Sequence, residues 1–266
     1  MSLSSILFLF LTHLGVGIAL TLLLISRVAG VKFFRFNAGL AVMLLVIALA
    51  LRPEWAVLSV DAQGVALGAL VVTTLALLIY WVTIGRLLAV LRPLLLWTAA
   101  GCGVLALVAQ AIAVSAAVPT GLTIVSFLTS AALLGGTCTA MILGHWYLVL
   151  PSMDVSLLQS IVRFHIGSTV LRIVVVGSVV LLAVSSGEAS TGPSFERYIF
   201  SLDGVFFWQR VLFGLCGPTV LAYLTWETAK IRSTQSATGI LYVDFFAVTV
   251  GEVLAKYLLL STGVPV

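Results

Sequence analysis

The sequence is a succession of apolar runs, each close to the roughly 20 residues that a helix needs to cross a bilayer, joined by short polar segments. It is 62% hydrophobic and only 8% charged, with a mean hydropathy of +1.25. A soluble domain carries about 25% charged residues. Folded in water, this chain would have no polar skin. The runs are continuous and do not alternate in ten-residue segments, which argues against a barrel. The predicted fold is therefore all-α: a polytopic transmembrane helical bundle of about eight spans. One membrane domain, residues 1–266, accounts for the chain.

The spans are predicted at about Ser4–Ser26, Asn37–Leu51 (extending as far as Val60), Gly64–Ile84, Arg92–Val118, Leu122–Leu150, Val155–Ser186, Val205–Thr228 and Gly239–Leu260. Arg52, Pro53, Glu54 and Trp55 mark an interfacial end. Pro119 and Gly121 make a tight turn, and Pro151 stops the long fifth span. The first run lacks a basic start and an early cleavage site, so it reads as a retained span and not as a signal peptide. The longest polar segment, Gly187–Gly204, holds Glu188, Pro193, Glu196, Arg197 and Asp203.

The formal charge of +4 resides mostly at the ends of apolar runs. There it sets orientation; it carries no nucleic-acid signal. Arg27, Lys32, Arg35, Arg86, Arg92, Lys230 and Arg232 fall in loops 1–2, 3–4 and 7–8. The opposite loops hold Arg52 and Arg197, with Arg210 just inside a span, and most of the acids. The positive-inside rule predicts both termini outside, loops 1–2, 3–4, 5–6 and 7–8 in the cytoplasm, and a multi-pass protein of the cell inner membrane. Cys102, Cys138 and Cys216 lie inside apolar runs and read as small packing residues.

One stretch gathers most of the interior polarity: Gly144–Arg172, reading GHWYLVLPSMDVSLLQSIVRFHIGSTVLR, with two of the three histidines. His145 is roughly 9 Å before the end of span five, and His165 roughly 15 Å into span six. Antiparallel neighbours joined by a short loop could bring the two to similar depth, facing one another. That geometry suits axial ligation of one b-type haem, and equally a quinone headgroup. The blander alternative is a pair of histidines hydrogen-bonded between helices.

Arg172 lies too deep to be an end anchor and shares a helix face with His165, seven residues away, together with Ser168 and Thr169. Such an arginine needs a carboxylate, carbonyls or water. Span eight offers Asp244 and, near its centre, Glu252, with Lys256 one turn on as an internal counter-charge. A structural ion pair without a ligand is the alternative reading. Trp146 and Tyr147 fit a ring stack over a ligand, or the aromatic belt to which Trp55, Trp208 and Trp226 are assigned. His13 reads mainly as a packing or hydrogen-bonding residue, or as part of a second site nearer the outside. Arg210 and Glu227 read as interfacial anchors, and Gln110 is a further polar candidate. Gly214–Pro218, GLCGP, predicts a kink. The sequence holds no phosphate-binding loop, no metal-binding Cys/His spacing and no nucleophile elbow.

Two segments carry a family likeness. FFAVTVGEVLAKYLLLSTG, 245–263, resembles the closing helix of the NrfD/DmsC-type membrane anchors of polysulfide, nitrite and DMSO reductase complexes. Gly251, Glu252, Lys256 and Tyr257 match its order of Gly-Glu, basic and aromatic positions, with Lys for the more usual Arg. LFLFLTHLGVGIAL, 7–20, is similar in style to the family's opening helix. The resemblance covers these two helices and no more. It implies a membrane subunit that exchanges electrons with the quinone pool, partnered by separate iron–sulfur or cytochrome subunits. The family generally binds quinone without haem, so a haem held by the histidines would be a departure.

The reading is an integral membrane subunit of a respiratory or photosynthetic electron-transfer complex. It would be either non-catalytic or a quinone-reactive part of an oxidoreductase. His165, Arg172, Asp244, Glu252, Trp146 and Tyr147 would together form the quinone or quinol and proton site, with protons carried by Asp244, Glu252 and the His165–Arg172 face. The alternatives are a b-type cytochrome with His145 and His165 on a haem, a proton- or ion-coupled transporter, and a purely structural anchor.

Overall fold

The computed structural model describes residues 2–53, 61–85, 90–115, 117–150, 153–185 and 195–266, apart from the side chain at 203. The expected roles of Glu54 and Trp55 at an interface, of Arg86 at a basic end, of Pro151 as a stop and of Glu188 and Pro193 in an acidic loop lie outside these residues.

The chain is a bundle of long helices: α1 (Leu3–Leu24), α2 (Gly30–Ala50), α3 (Ala62–Thr83), α4 (Arg92–Val114), α5 (Thr120–Val149) and α6 (Ser156–Ser185). A five-residue helix, α7 (Phe195–Ile199), precedes α8 (Val205–Val211), which runs through a π turn (Leu212–Cys216) into α9 (Gly217–Lys230). The last helix is α10 (Thr234–Thr262). Among the described residues, seven helical stretches are long and apolar enough to cross a membrane, α8–α9 counting as one. The eighth, α10, has 29 residues, about 43 Å against a hydrocarbon core of about 30 Å. Asp244, Glu252 and Lys256 lie within it, and all three are buried. The fold is thus the polytopic helical bundle that composition predicted.

Local chemistry sets the ends. The hydroxyl of Ser2 accepts from the Ser5 N–H at 3.3 Å, and Asp61 caps α3 through the Gly64 N–H at 3.0 Å. Pro93 occupies the first turn of α4, where its missing N–H costs nothing. Gly263 closes α10 at φ 75°, a left-handed position that favours glycine. The predicted basic loop after span one is shorter than expected. Only residues 25–29 connect the helices, and Lys32 and Arg35 stand on the first turns of α2. The apolar side chains Phe33 and Phe34 are buried there, so the helix starts early and its basic side chains reach outward.

Neighbour relations divide the bundle in two. α1, α2, α3 and α4 pack in a ring, each against the next, and α4 returns to α1. α5, α6, α9 and α10 form a second ring in the same way. In that second ring α6 and α10 are diagonal, separated by α5 on one side and α9 on the other. Side chains that join α6 to α10 must therefore cross the middle of the ring.

The seam between the rings is α1 against α5, built on Gly17 and Gly135. A Cβ added at Gly17 would overlap the carbonyl of Ala131, and one added at Gly135 would overlap the Gly17 backbone. Neither obstacle is a flexible side chain, so the seam requires glycine at both positions. Gly135→Val is expected to destabilise the bundle by at least the ~1–3 kcal/mol typical of overpacking. Gly101→Ala, where a Cβ meets nothing within 4 Å, should leave stability near that of the parent. Unfolding by SDS titration of the purified protein measures both, and equal effects would show that the seam is not close-packed.

Candidate functional site

The middle of the second ring is polar. Glu252 of α10 is fully buried and accepts hydrogen bonds from three cationic side chains. Arg172 of α6 donates Nε to Oε1 at 3.0 Å and Nη2 to Oε2 at 3.3 Å. Arg210 of α8 donates Nη2 to Oε1 at 2.8 Å. Lys256, one turn along α10, donates Nζ to Oε2 at 3.4 Å. Ser130 of α5 completes the set, its Oγ 2.5 Å from Oε2. Exposure is 1% or less at Arg172, Arg210 and Glu252, and 3% at Lys256, so water does not screen these charges.

The network reaches further on α5. Arg172 donates Nη1 to the Ser126 carbonyl at 3.0 Å and to its hydroxyl at 2.7 Å. Ser126 in turn donates its hydroxyl hydrogen bond to the Pro265 carbonyl at 2.8 Å. Lys256 Nζ and His13 Nδ1 of α1 both meet Ser130 Oγ, at 2.7 and 3.0 Å. With the Ser130 hydrogen directed at Glu252, its lone pairs accept from both neighbours. His13 is then protonated on Nδ1, and its buried Nε2 has no hydrogen-bond partner among the described residues.

Arg210 reaches Glu252 because two glycines let it. Gly214 and Gly251 are in backbone contact, and the Arg210 guanidinium lies against both; a Cβ on Gly251 would stand 3.2 Å from Nη1. The π turn follows immediately, with the Gly217 N–H bonded to the Leu212 carbonyl. It covers most of the segment where a kink was predicted. Arg210 is therefore not the interfacial anchor its place near a span end suggested. Glu227 does lie at the surface, paired with Lys230 at 2.7 Å.

About two turns away along α6 lies a second buried pair. His165 Nε2 is 2.6 Å from Asp244 Oδ2, and His165 Nδ1 is 3.0 Å from Thr137 Oγ1. The Thr137 hydroxyl hydrogen goes to the Leu133 carbonyl at 2.7 Å, so Nδ1 is the donor towards Thr137. One proton then lies between Nε2 and the carboxylate. Asp244 Oδ1 is buried without a hydrogen-bond partner among the described residues.

His145 is elsewhere. It faces outward from α5 and its Nδ1 lies 3.1 Å from the Tyr242 hydroxyl of α10. Tyr242 and Asp244 are about 200° apart around α10, so the two histidines approach that helix from different sides. The expectation that they face one another is corrected: α10 stands between their partners. The residues do not fit a shared haem, because both ring nitrogens of His165 are engaged.

His145 and Tyr242 line an apolar cleft of about 430 Å³ between α1, α2, α5 and α10, with Phe36, Leu40, Cys138 and Trp146 among its walls. Trp146 packs edge-on to Phe33 at 5.9 Å. Tyr147 points the other way. It is buried, its hydroxyl donates to the Asp154 carbonyl, and it accepts from the Leu158 N–H at 3.3 Å. It ties α5 to α6 and does not enter the cleft. In the turn between those helices, hydrogen bonds from the Ser156 backbone and hydroxyl hold the Asp154 carboxyl below the usual carboxylate range.

Of the site residues read from sequence, His165 with Asp244 and Arg172 with Glu252 form two separate pairs in the interior, and Trp146 lines the cleft. Tyr242, Ser126, Ser130 and Thr137 were missed. The three hydroxyls lie four and seven residues apart, one stripe on α5, and that periodicity could have found them. Compared with family models, curated proteins and solved structures, the chain shows no match.

Glu252→Gln removes the carboxylate charge and leaves three cationic side chains facing one another. It is expected to cost about 3–5 kcal/mol of stability, as for a broken buried ion pair, measured by SDS-induced unfolding. Arg210→Met, which leaves Glu252 two cationic partners, should cost less. The reverse order would show that Glu252 is not the centre of the network.

Proposed function

We propose that the protein is an integral membrane subunit of an electron-transfer complex that binds quinone or quinol in the cleft at His145 and Tyr242 and exchanges protons through its polar interior. The cleft carries this reading. Its volume of about 430 Å³ falls in the range of small-molecule sites. Its walls are apolar and aromatic, as a ring with an isoprenoid tail requires, and it offers one polar pair at 3.1 Å to meet a carbonyl or hydroxyl oxygen. Phe36 and Tyr242 are about half exposed on its rim, so a lipid-soluble ligand could enter sideways.

The ligand site therefore moves from the face expected in sequence, that of His165 and Arg172, to the other side of α10. His165, Asp244, Glu252 and Arg172 keep the role of handling protons. The His165–Asp244 pair holds one proton between two basic atoms. Such a pair can shift that proton between its two atoms with no change in net buried charge; releasing it requires another proton to arrive in step, because hydrocarbon penalises heavily the lone carboxylate left behind. The likeness of α10 to the closing helix of the NrfD/DmsC-type anchors supports the same reading, with iron–sulfur or cytochrome subunits as redox partners. Orientation with both termini outside and cytoplasmic basic loops follows from the positive-inside rule. The His165–Asp244 pair also supports a second reading, a proton-coupled transporter; proton-dependent uptake into vesicles holding this chain alone would establish that reading instead.

A water-soluble quinone analogue titrated into the purified protein should quench Trp146 emission saturably. His145→Ala should weaken that binding about tenfold, the value of one hydrogen bond, and Trp146→Phe should remove most of the quench. Linear, non-saturating quenching in the parent protein, together with no quinone in a solvent extract of it, would overturn the proposal.

A further inference from the structure

A second cavity, of about 310 Å³, lies in the other ring, where the end of α1 meets the starts of α2 and α4 and the end of α3. Arg27 and Arg92 both line it, with Tyr80, Trp97, Gly30 and Pro93, and among the described residues its lining holds no acidic side chain. It shares no residue with the Glu252 network or with the His145–Tyr242 cleft. We propose that this cavity binds the phosphate of an anionic lipid headgroup.

Three observations converge on that chemistry. Two guanidinium-bearing side chains reach one cavity, Arg27 from the connection between α1 and α2 and Arg92 from the start of α4, and arginine presents a planar set of donors that matches phosphate oxygens. Gly30 and Pro93 place the first turns of α2 and α4 in the same wall, and helix N-termini favour negative charge. The cavity also borders the bilayer-facing surface, because Val31 and Trp97 in its lining are 50% and 65% exposed. A headgroup could enter while its acyl chains remain against the outer faces of α2 and α4. Basic pockets between membrane helices suit anionic lipids in this way. Free phosphate satisfies the arginines equally but makes no use of the apolar rim.

The test titrates the full-length protein in neutral detergent with phosphatidylglycerol, phosphatidylcholine or inorganic phosphate, reading the shift in melting midpoint and the bound lipid by native mass spectrometry. Phosphatidylglycerol should bind saturably and phosphatidylcholine should not. Arg27→Gln, at an exposed position, should weaken phosphatidylglycerol about fivefold, and Arg27→Gln with Arg92→Gln about 25-fold. The single variant keeps the test decisive if the double variant does not fold. Unchanged phosphatidylglycerol affinity in Arg27→Gln would overturn the site. Inorganic phosphate displacing the lipid at equal concentration would overturn the lipid as its ligand.

Discussion

The structure depends on one carboxylate. Glu252 lies about 27 Å from the start of α10 and about 15 Å from its end, and is fully buried. An ionised carboxylate there costs several kcal/mol to bury, recovered only if its lone pairs are filled and its charge is opposed. Arg172, Arg210, Lys256 and Ser130 do this from α6, α8, α10 and α5. The reverse also holds. Two arginines and a lysine could not enter this interior without Glu252. The second ring of helices is thus organised around polar contacts, in a solvent where apolar contact between helices is little better than contact with lipid.

Close backbone approach makes those contacts reachable. Arg210 meets Glu252 because Gly214 and Gly251 touch, and the following π turn keeps the arginine aimed inward while the helix continues to the far side. His13 meets Ser130 because Gly17 and Gly135 let α1 press against α5. His13 and Gly17, Ser130 and Gly135, and Arg210 and Gly214 lie about one turn apart on their helices, while Gly251 directly precedes Glu252. The glycines therefore set distance, and the polar side chains set which distance is stable.

How much of this was legible in the sequence follows from the physics of each signal. Long apolar runs state helix number and span plainly, because a bilayer allows few alternatives. Arg172 and Glu252 were legible as partners, since a deep arginine needs a carboxylate and α10 supplied one near its centre. Arg210 was not. Its distance from the polar segment before α8 looked like an anchor's, and only the Gly214–Gly251 contact turns it inward. The His145–His165 pairing failed for a different reason. Depth along two helices fixes how far in a side chain lies, but not the direction it faces. His145 is exposed on the cleft side of α5, while Thr137, about two turns earlier, faces His165. Lys32 and Arg35 were misread as loop because charge marked the boundary, although buried Phe33 and Phe34 extend the helix through them.

That difference in direction has a consequence for the proposed chemistry. α5 and α10 are the wall between the cleft and the interior, and each contributes to both sides. α5 gives Cys138 and His145 to the cleft and Thr137 and Ser130 to the interior; α10 gives Tyr242 to the one and Asp244 to the other. A headgroup bound at Tyr242 would be close to Asp244 along the chain yet divided from it by the body of the helix, whose backbone hydrogen bonds offer no relay. Protons passing between them would have to travel around α10 through water or mobile hydroxyls. On the proposed reading, α10 is then both the ligand's wall and the proton's barrier. Asp244 Oδ1, which has no hydrogen-bond partner among the described residues, is the atom at which such a path would enter the interior.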